Sequence, residues 1–134
     1  MITSDLRSSK VLPFIYLVSS TALTGNGSSV QTLAMQADSE FELHQFAASS
    51  SIDAAANVMP NNFSVQITDL STGRQLMSAR IPQRVLCGPA NGGFGLLRRP
   101  IIFAAQANLS FDFLDLSGST NTVSLCLIGY KLLL

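Results

Sequence analysis

Apolar and polar residues alternate with a period of two along much of the chain. In Phe63-Ser64-Val65-Gln66-Ile67-Thr68 every second residue is apolar, and Leu109-Ser110-Phe111-Asp112-Phe113 repeats the pattern. In Glu40-Phe41-Glu42-Leu43-His44 the apolar pair again falls on alternate positions. Successive side chains of a strand point to opposite faces, so this period marks strands with one buried and one wetted face. Helical periodicity is nearly absent. Further strands are expected at residues 11–19, 29–36, 74–80, 84–87, 101–104 and 122–133, with a helical turn at 53–58. Between them stand Gly25-Asn26-Gly27, Pro60-Asn61-Asn62, Ser71-Thr72-Gly73 and Ser117-Gly118-Ser119, residue types that suit tight turns or a positive φ. About eight or nine short strands punctuated in this way predict a single all-β domain over residues 1–134. The expected architecture is an antiparallel β-sandwich of jelly-roll type, with residues 1–10 as an extended N-terminal arm.

Two stretches depart from simple alternation. Residues 88–95 hold four glycines and Pro89 and predict a projecting loop. The closing run Ser124-Leu125-Cys126-Leu127-Ile128-Gly129-Tyr130-Lys131-Leu132-Leu133-Leu134 is apolar on both faces. Such a strand must lie between layers or at a subunit interface, because left exposed it is an aggregation-prone edge. The apolar run at 11–18, with Phe14, Ile15 and Tyr16, is a candidate partner for it, or an addition to a neighbour's sheet. There is also an internal echo. Asn62-Phe63-Ser64-Val65-Gln66-Ile67-Thr68-Asp69-Leu70-Ser71 aligns with Asn108-Leu109-Ser110-Phe111-Asp112-Phe113-Leu114-Asp115-Leu116-Ser117. Either the two are equivalent hairpins of a two-sheet fold, or strand-then-turn physics arrives twice at similar letters.

Composition changes the picture. Only 12% of the 134 residues are charged while 47% are hydrophobic, against about 25% charged in a typical globular domain. Apolar surface in such excess either enters a membrane or is covered by other subunits. A spanning helix needs about 20 apolar residues, and the runs at 11–18 and 125–134 are shorter and interrupted by Pro13, Gly129 and Lys131. Protein partners are therefore the expected cover. Arg7 and Lys10 before the first run, with Ser19, Ser20 and Ala22 after it, imitate a secretory signal; Pro13 and Asp5 argue against one. Cys87 and Cys126 are too few and too far apart for a disulfide scaffold or a zinc ribbon, and are expected to be free, buried thiols.

Eight basic and eight acidic residues give a net charge of zero, so the basic footprint of a nucleic-acid binder is missing. The charges are segregated, however. Asp38, Glu40, Glu42, Asp53 and Asp69 are followed by Arg74, Arg80, Arg84, Arg98 and Arg99. The two groups can be matched across strands within the fold or between neighbouring subunits. No G-x-S-x-G elbow, H-E-x-x-H, Walker loop or strand-borne G-x-G-x-x-G is present, and His44 is the sole histidine. The chain reads as non-enzymatic, with no cofactor and no metal. Asp38, Glu40, Glu42 and His44 would share one face of a regular strand at a spacing of about 6–7 Å. That face is either solvated and arginine-paired, or a cation site completed by a neighbouring strand. The stretch Gly92-Gly93-Phe94-Gly95-Leu96-Leu97-Arg98-Arg99-Pro100 joins flexible backbone to apolar tips and two cations. Interfaces favour aromatic and arginine anchors, which makes Phe94, Leu96, Leu97, Arg98 and Arg99 candidate partner-binding residues; the alternative is an ordinary surface loop.

Leu97-Arg98-Arg99-Pro100-Ile101-Ile102-Phe103, Ala107-Asn108-Leu109-Ser110-Phe111, Asp115-Leu116-Ser117-Gly118 and the closing Leu127-Ile128-Gly129-Tyr130-Lys131 together resemble small structural proteins of tailed bacteriophages. The likeness is to the cement (decoration) proteins of β-sandwich or jelly-roll type. It spans about residues 95–134, with residues 69–74 as a weaker extra match. It implies a virion protein, made in the host cytoplasm, that binds the major capsid protein on the capsid exterior. It further implies a homo-oligomer, dimer or trimer, that clamps neighbouring capsomers without touching nucleic acid or membrane. A tail or neck component would share these features. So would a carbohydrate-binding sandwich, which needs exposed aromatics; the chain has no Trp and only Tyr16 and Tyr130 as tyrosines.

Overall fold

A computed structural model of the chain describes residues 10–20, 22–52, 63–87 and 94–134. Among these the strands are β1 (Val11–Ser19), β2 (Ser28–Ala34), β3 (Ser39–Ile52), β4 (Phe63–Asp69), β5 (Arg74–Gln75), β6 (Ile81–Pro82), β7 (Phe94–Phe103), β8 (Asn108–Asp115) and β9 (Asn121–Leu133). They make two antiparallel sheets. One runs β1-β9-β3-β7; the other runs β2-β8-β4-β5, with β6 also on β4. The first strand thus pairs with the last, the second with the last but one and the third with β7, while the fourth pairs with the short β5 and β6. One long hairpin wrapped into two sheets is the jelly-roll plan, and the expected all-β sandwich is what the chain forms.

The alternation explains the packing. Inward positions of β4, β8 and β9 are buried at every second residue, and the two inner faces meet in a core rich in aromatic rings. Phe41, Phe46, Phe63, Phe103, Phe111 and Phe113 are fully buried there with Leu43, Ile67, Leu109, Leu125 and Leu127. Each such side chain contributes roughly 1.5–3 kcal/mol on burial. The strand expected at 11–19 is β1, paired with β9 from Val11↔Leu132 to Ser19↔Ser124. The partnership expected of the two apolar runs is therefore realised.

The internal echo is two antiparallel neighbours in one sheet, Phe63 lying opposite Asp115 and Asp69 opposite Leu109. Each strand ends in the same device. Asp69 Oδ1 accepts the Ser71 N–H at 3.0 Å and Asp115 Oδ1 accepts that of Ser117 at 3.0 Å. A left-handed glycine follows each, Gly73 with φ 75° and Gly118 with φ 77°. The reading as two equivalent hairpins is corrected: the first turn leads into β5 of the same sheet, the second crosses to β9 of the other.

Three local expectations are also corrected. Residues 84–87 are not a strand; Gln83–Leu86 is a single helical turn that starts behind Pro82, whose missing N–H ends the ladder of β6. Of residues 74–80 only Arg74–Gln75 is strand. Beyond it the Ile67 N–H donates to Met77 Sδ at 3.0 Å, so a side-chain sulfur stands where a ladder carbonyl would be. The expected strand at 101–104 begins earlier, at Phe94. The helical turn at 53–58 and residues 1–9 of the expected arm lie outside the described residues.

Candidate assembly surface

The two outer faces of the sandwich differ in character. On the β2-β8-β4 sheet the outward positions include Thr32, Gln66, Thr68, Ser110 and Asp112, with Val30 as an exposed apolar residue. Across this face Arg80 grips the Asp112 carboxylate in a forked pair, Nε at 3.2 Å and Nη2 at 3.0 Å from Oδ2. The β1-β9-β3-β7 sheet carries more exposed apolar side chains on its outer side, around the polar Glu42, His44 and Gln45. Ile15 is 57% exposed, Leu17 59%, Ile102 52% and Tyr130 39%, and Cys126, Ile128 and Leu132 between them are half-buried. Strand register sets these side chains in rows: Leu17, Cys126 and Ala47; Ile15, Ile128 and Gln45; Pro13, Tyr130, Glu42 and Ile102. The cause is the two-faced apolarity of β9, whose Val123, Leu125 and Leu127 fill the core while its alternate residues have no layer above them.

A pair of irregularities shapes the middle of this face. Leu43 pairs with Gly129 and Gln45 with Ile128, which leaves His44 as an extra residue in β3. Such a bulge re-aims side chains. His44 Nε2 lies 2.6 Å from Glu42 Oε1, and the His44 ring meets Tyr130 edge-on at 5.1 Å. Pro13, Gln45, Ile128, Gly129, Tyr130 and His44 line a shallow cavity of about 290 Å³. The four groups Asp38, Glu40, Glu42 and His44 do not share one face as a regular strand would require. Glu40, Glu42 and His44 do lie on the outer face, the bulge setting His44 there beside Gln45, but Asp38 precedes β3 and turns to Lys131, 3.2 Å from Nζ. Among the described residues no group of three or more His, Cys, Asp or Glu is placed to hold a metal ion.

Opposite His44 the edge strand is irregular as well. The register moves from Leu43↔Ile101 to Gln45↔Leu96, so residues 97–100 of β7 bulge against one residue of β3. Pro100 lacks the N–H that a regular ladder needs, which accounts for the break. The loop expected at 88–95 is corrected at its end: Phe94 and Gly95 already belong to β7, paired with Ala47 and Phe46. Residues 88–93 and the side chains of Phe94 and Leu96 lie outside the described residues. Of the other candidates, Leu97 is half-buried and packs against the core, whereas Arg98 and Arg99 are exposed.

Among the described residues ion pairs join Asp112 to Arg80 and Asp38 to Lys131, and His44 sits within hydrogen-bond distance of Glu42. None links the acidic stretch to the arginine-rich one. The Ser39 hydroxyl and then Lys131 hold the Asp38 carboxyl below its ordinary value. Lys131 itself is buried; Gln36 Oε1 also accepts from its Nζ, which lies 4.2 Å from the centre of the Phe14 ring. Both cysteines are free. Burial, and next the neighbouring Cys126, pushes the Cys87 thiol up to about 12, which makes it a poor nucleophile. Of the two tyrosines, Tyr16 is buried and its hydroxyl accepts the Gln36 N–H at 3.0 Å, so Tyr130 alone offers a ring to the surface.

No protein-family model and no curated protein sequence matches the chain. Among solved structures, the capsid asymmetric unit of cyanophage Pam1 is similar at 12% identity and a TM-score of 0.48, over 91% of this chain and 84% of that one. The acidic stable capsid of Helicobacter pylori bacteriophage KHP30 gives 9% identity and 0.45 over 90% and 88%. The Yersinia pseudotuberculosis-derived mitogen gives 10% and 0.44 over 88% and 86%. Likenesses this distant, spread over proteins of unlike kinds, carry no functional argument.

Proposed function

We propose that the chain is a non-enzymatic structural virion protein that seats on the outside of a phage capsid and stabilises the contacts between capsomers. The observation behind this is the contrast between the two outer faces: one is polar and closed by Arg80 and Asp112, the other presents Ile15, Leu17, Ile102 and Tyr130 in register. Large contiguous apolar patches on soluble domains are interaction surfaces. The segment resembling cement proteins, about residues 95–134, supplies β9 and most of β7, one central and one edge strand of this sheet, together with β8 of the other. Arg98 and Arg99, exposed on the β7 bulge, act as steering cations for an acidic partner. The partner is the major capsid protein, and the chain binds it as a homo-oligomer made in the host cytoplasm. Each copy contributes a modest contact, and repetition over a symmetric shell multiplies it.

Electron microscopy of particles assembled without the chain tests the reading. Fragile or burst capsids with tails in place are expected. Robust capsids that lack tails would instead make the chain a tail or neck component and overturn the capsid role.

A further inference from the structure

β1 is an edge strand, and among the described residues no strand pairs with its outer row of backbone groups. Its register with β9 is continuous, and at its ends the Leu133 N–H donates to the Lys10 carbonyl at 2.8 Å and the Ser20 N–H to that of Val123 at 2.8 Å. Hydrogen-bonded pairs alternate along an antiparallel ladder, so even-numbered residues from Lys10 to Ser20 are the ones bonded to β9. Val11, Ile15, Leu17 and Ser19 therefore turn both N–H and C=O away from the sheet. Pro13 falls in the same outward set and offers its carbonyl alone. These odd residues also carry the side chains of the apolar outer face, with Ile15 57% and Leu17 59% exposed. The strand Val11–Ser19 contains no charged residue.

The other edge of the same sheet is built differently. β7 is broken by the bulge at 97–100 and carries Arg98, Arg99 and Pro100, all devices by which natural edges avoid pairing. β1 has one such device, Pro13, which withholds a single N–H; the rest of the strand is unbulged, uncharged and apolar, as a pairing edge is.

We infer that β1 pairs with β1 of a second copy, antiparallel about a two-fold axis, so that the two β1-β9-β3-β7 sheets become one continuous sheet. A second copy fits because the relation is self-complementary. Outward odd residues of one strand face outward odd residues of the other, free N–H groups meet free carbonyls, and no like charges are brought together. The apolar rows headed by Ile15 and Leu17 then run on from one subunit to the next, doubling the face that seats on the capsid. This assigns a surface to the oligomeric part of the function proposed above, and it holds or fails separately from capsid binding.

Native mass spectrometry and amide hydrogen exchange on the full chain test it. The wild type is expected as a dimer with the Ile15, Leu17 and Ser19 amides protected. The double variant Ile15→Lys, Leu17→Lys is expected as a folded monomer in which those amides exchange at least tenfold faster. Val30→Lys, on the exposed side of β2, should remain dimeric and controls for surface charge as such. A trimer, a dimer that survives the double substitution, or a monomer whose odd-numbered amides are still protected would each overturn the inference; the last would hand the edge to residues 1–9 of the same chain. Should the double variant fail to fold, Ser19→Lys, at the exposed end of the strand, replaces it with the same expectations. A dimer that ignores capsids would leave this inference standing and remove the proposed function.

Discussion

Glu42 and Gly129 approach so closely across β3 and β9 that a Cβ on Gly129 would collide with the Glu42 carbonyl oxygen. The contact sits at the His44 bulge, where Leu43 pairs with Gly129 and Gln45 with Ile128. It is what holds the Glu42–His44 pair beside Tyr130 in the middle of the outer face.

Gly129→Ala is therefore expected to cost about 2 kcal/mol or more, since backbone on both sides must move to admit one methyl group. Urea denaturation reads this directly. An unchanged midpoint would contradict the close approach, and cleavage of β3 by thermolysin, which cuts before apolar residues such as Phe41, Leu43 and Phe46, should rise with the loss of stability.

Lys131 is a cation in an otherwise apolar strand, buried between Gln36, Asp38 and the Phe14 ring. Replacement of a buried ion pair by an apolar group of similar shape is often nearly neutral, whereas truncation leaves a void and a lone partner. Lys131→Met should stay within about 1 kcal/mol of wild type, and Lys131→Ala should lose about 2 kcal/mol or more. Equal losses in thermal melts would show that the charge itself matters more than the packing of its stem.

Asp38 and Asp115 both set an acid limit on stability. The Asp38 carboxyl is held low by the Ser39 hydroxyl and by Lys131. At Asp115 burial opposes ionisation, but hydrogen bonds from the Ser117 hydroxyl, the Asn26 and Ser117 N–H groups and Asn121 outweigh it and bring the value below the ordinary one. Both folded values thus lie under the unfolded value of 3.8. The stabilisation is fully present above that pH and is lost as pH falls through the folded values. The melting temperature should hold steady from neutral pH down to about 5 and drop below about 4. Asp115→Asn should flatten that drop while lowering stability at neutral pH by about 1–3 kcal/mol, because an amide cannot accept from the same set of donors.

Arg98 and Arg99 are exposed and, among the described residues, take part in no ion pair. Changing both to Glu should leave the melting temperature nearly as it was, within about 0.5 kcal/mol of stability. Association with capsids should slow, and its dependence on ionic strength should reverse in sign. Binding kinetics at low and high salt check both points.

What could be read from the letters follows the physics of each element. Period two in residues 63–68 and 109–113 announced β4 and β8, because one face of each is core and the other is water. The two-faced apolarity of β9 announced a strand lacking cover on one side, and the side chains of Cys126, Ile128 and Tyr130 lie there. Residues 84–87 misled because four residues cannot distinguish a helical turn from a strand, and the deciding residue, Pro82, stands outside them. The acidic stripe holds for Glu40, Glu42 and His44 but not for Asp38, because β3 begins only at Ser39 and the Asp38 carboxylate is drawn to Lys131. Gly129 was the available sign of the bulge at His44: a glycine inside a strand marks a close approach of backbone. Lys131 was the sign of a buried pair, since a lone charge in an apolar strand needs a partner. The glycine-rich stretch before Phe94 concealed where β7 begins, for glycine is equally at home in a loop and in an irregular edge.

In the proposed function the outer β1-β9-β3-β7 face seats the chain on a capsid. Co-sedimentation of the purified chain with capsid shells isolated from particles that lack it measures this most directly. Saturable binding at a fixed number of copies per capsomer is predicted, weakened about tenfold or more by Ile102→Glu on that face and unaffected by Val30→Lys on the opposite one. Shells that sediment without the chain, or that bind the Ile102→Glu variant as well as wild type, would show that this face is not the seat.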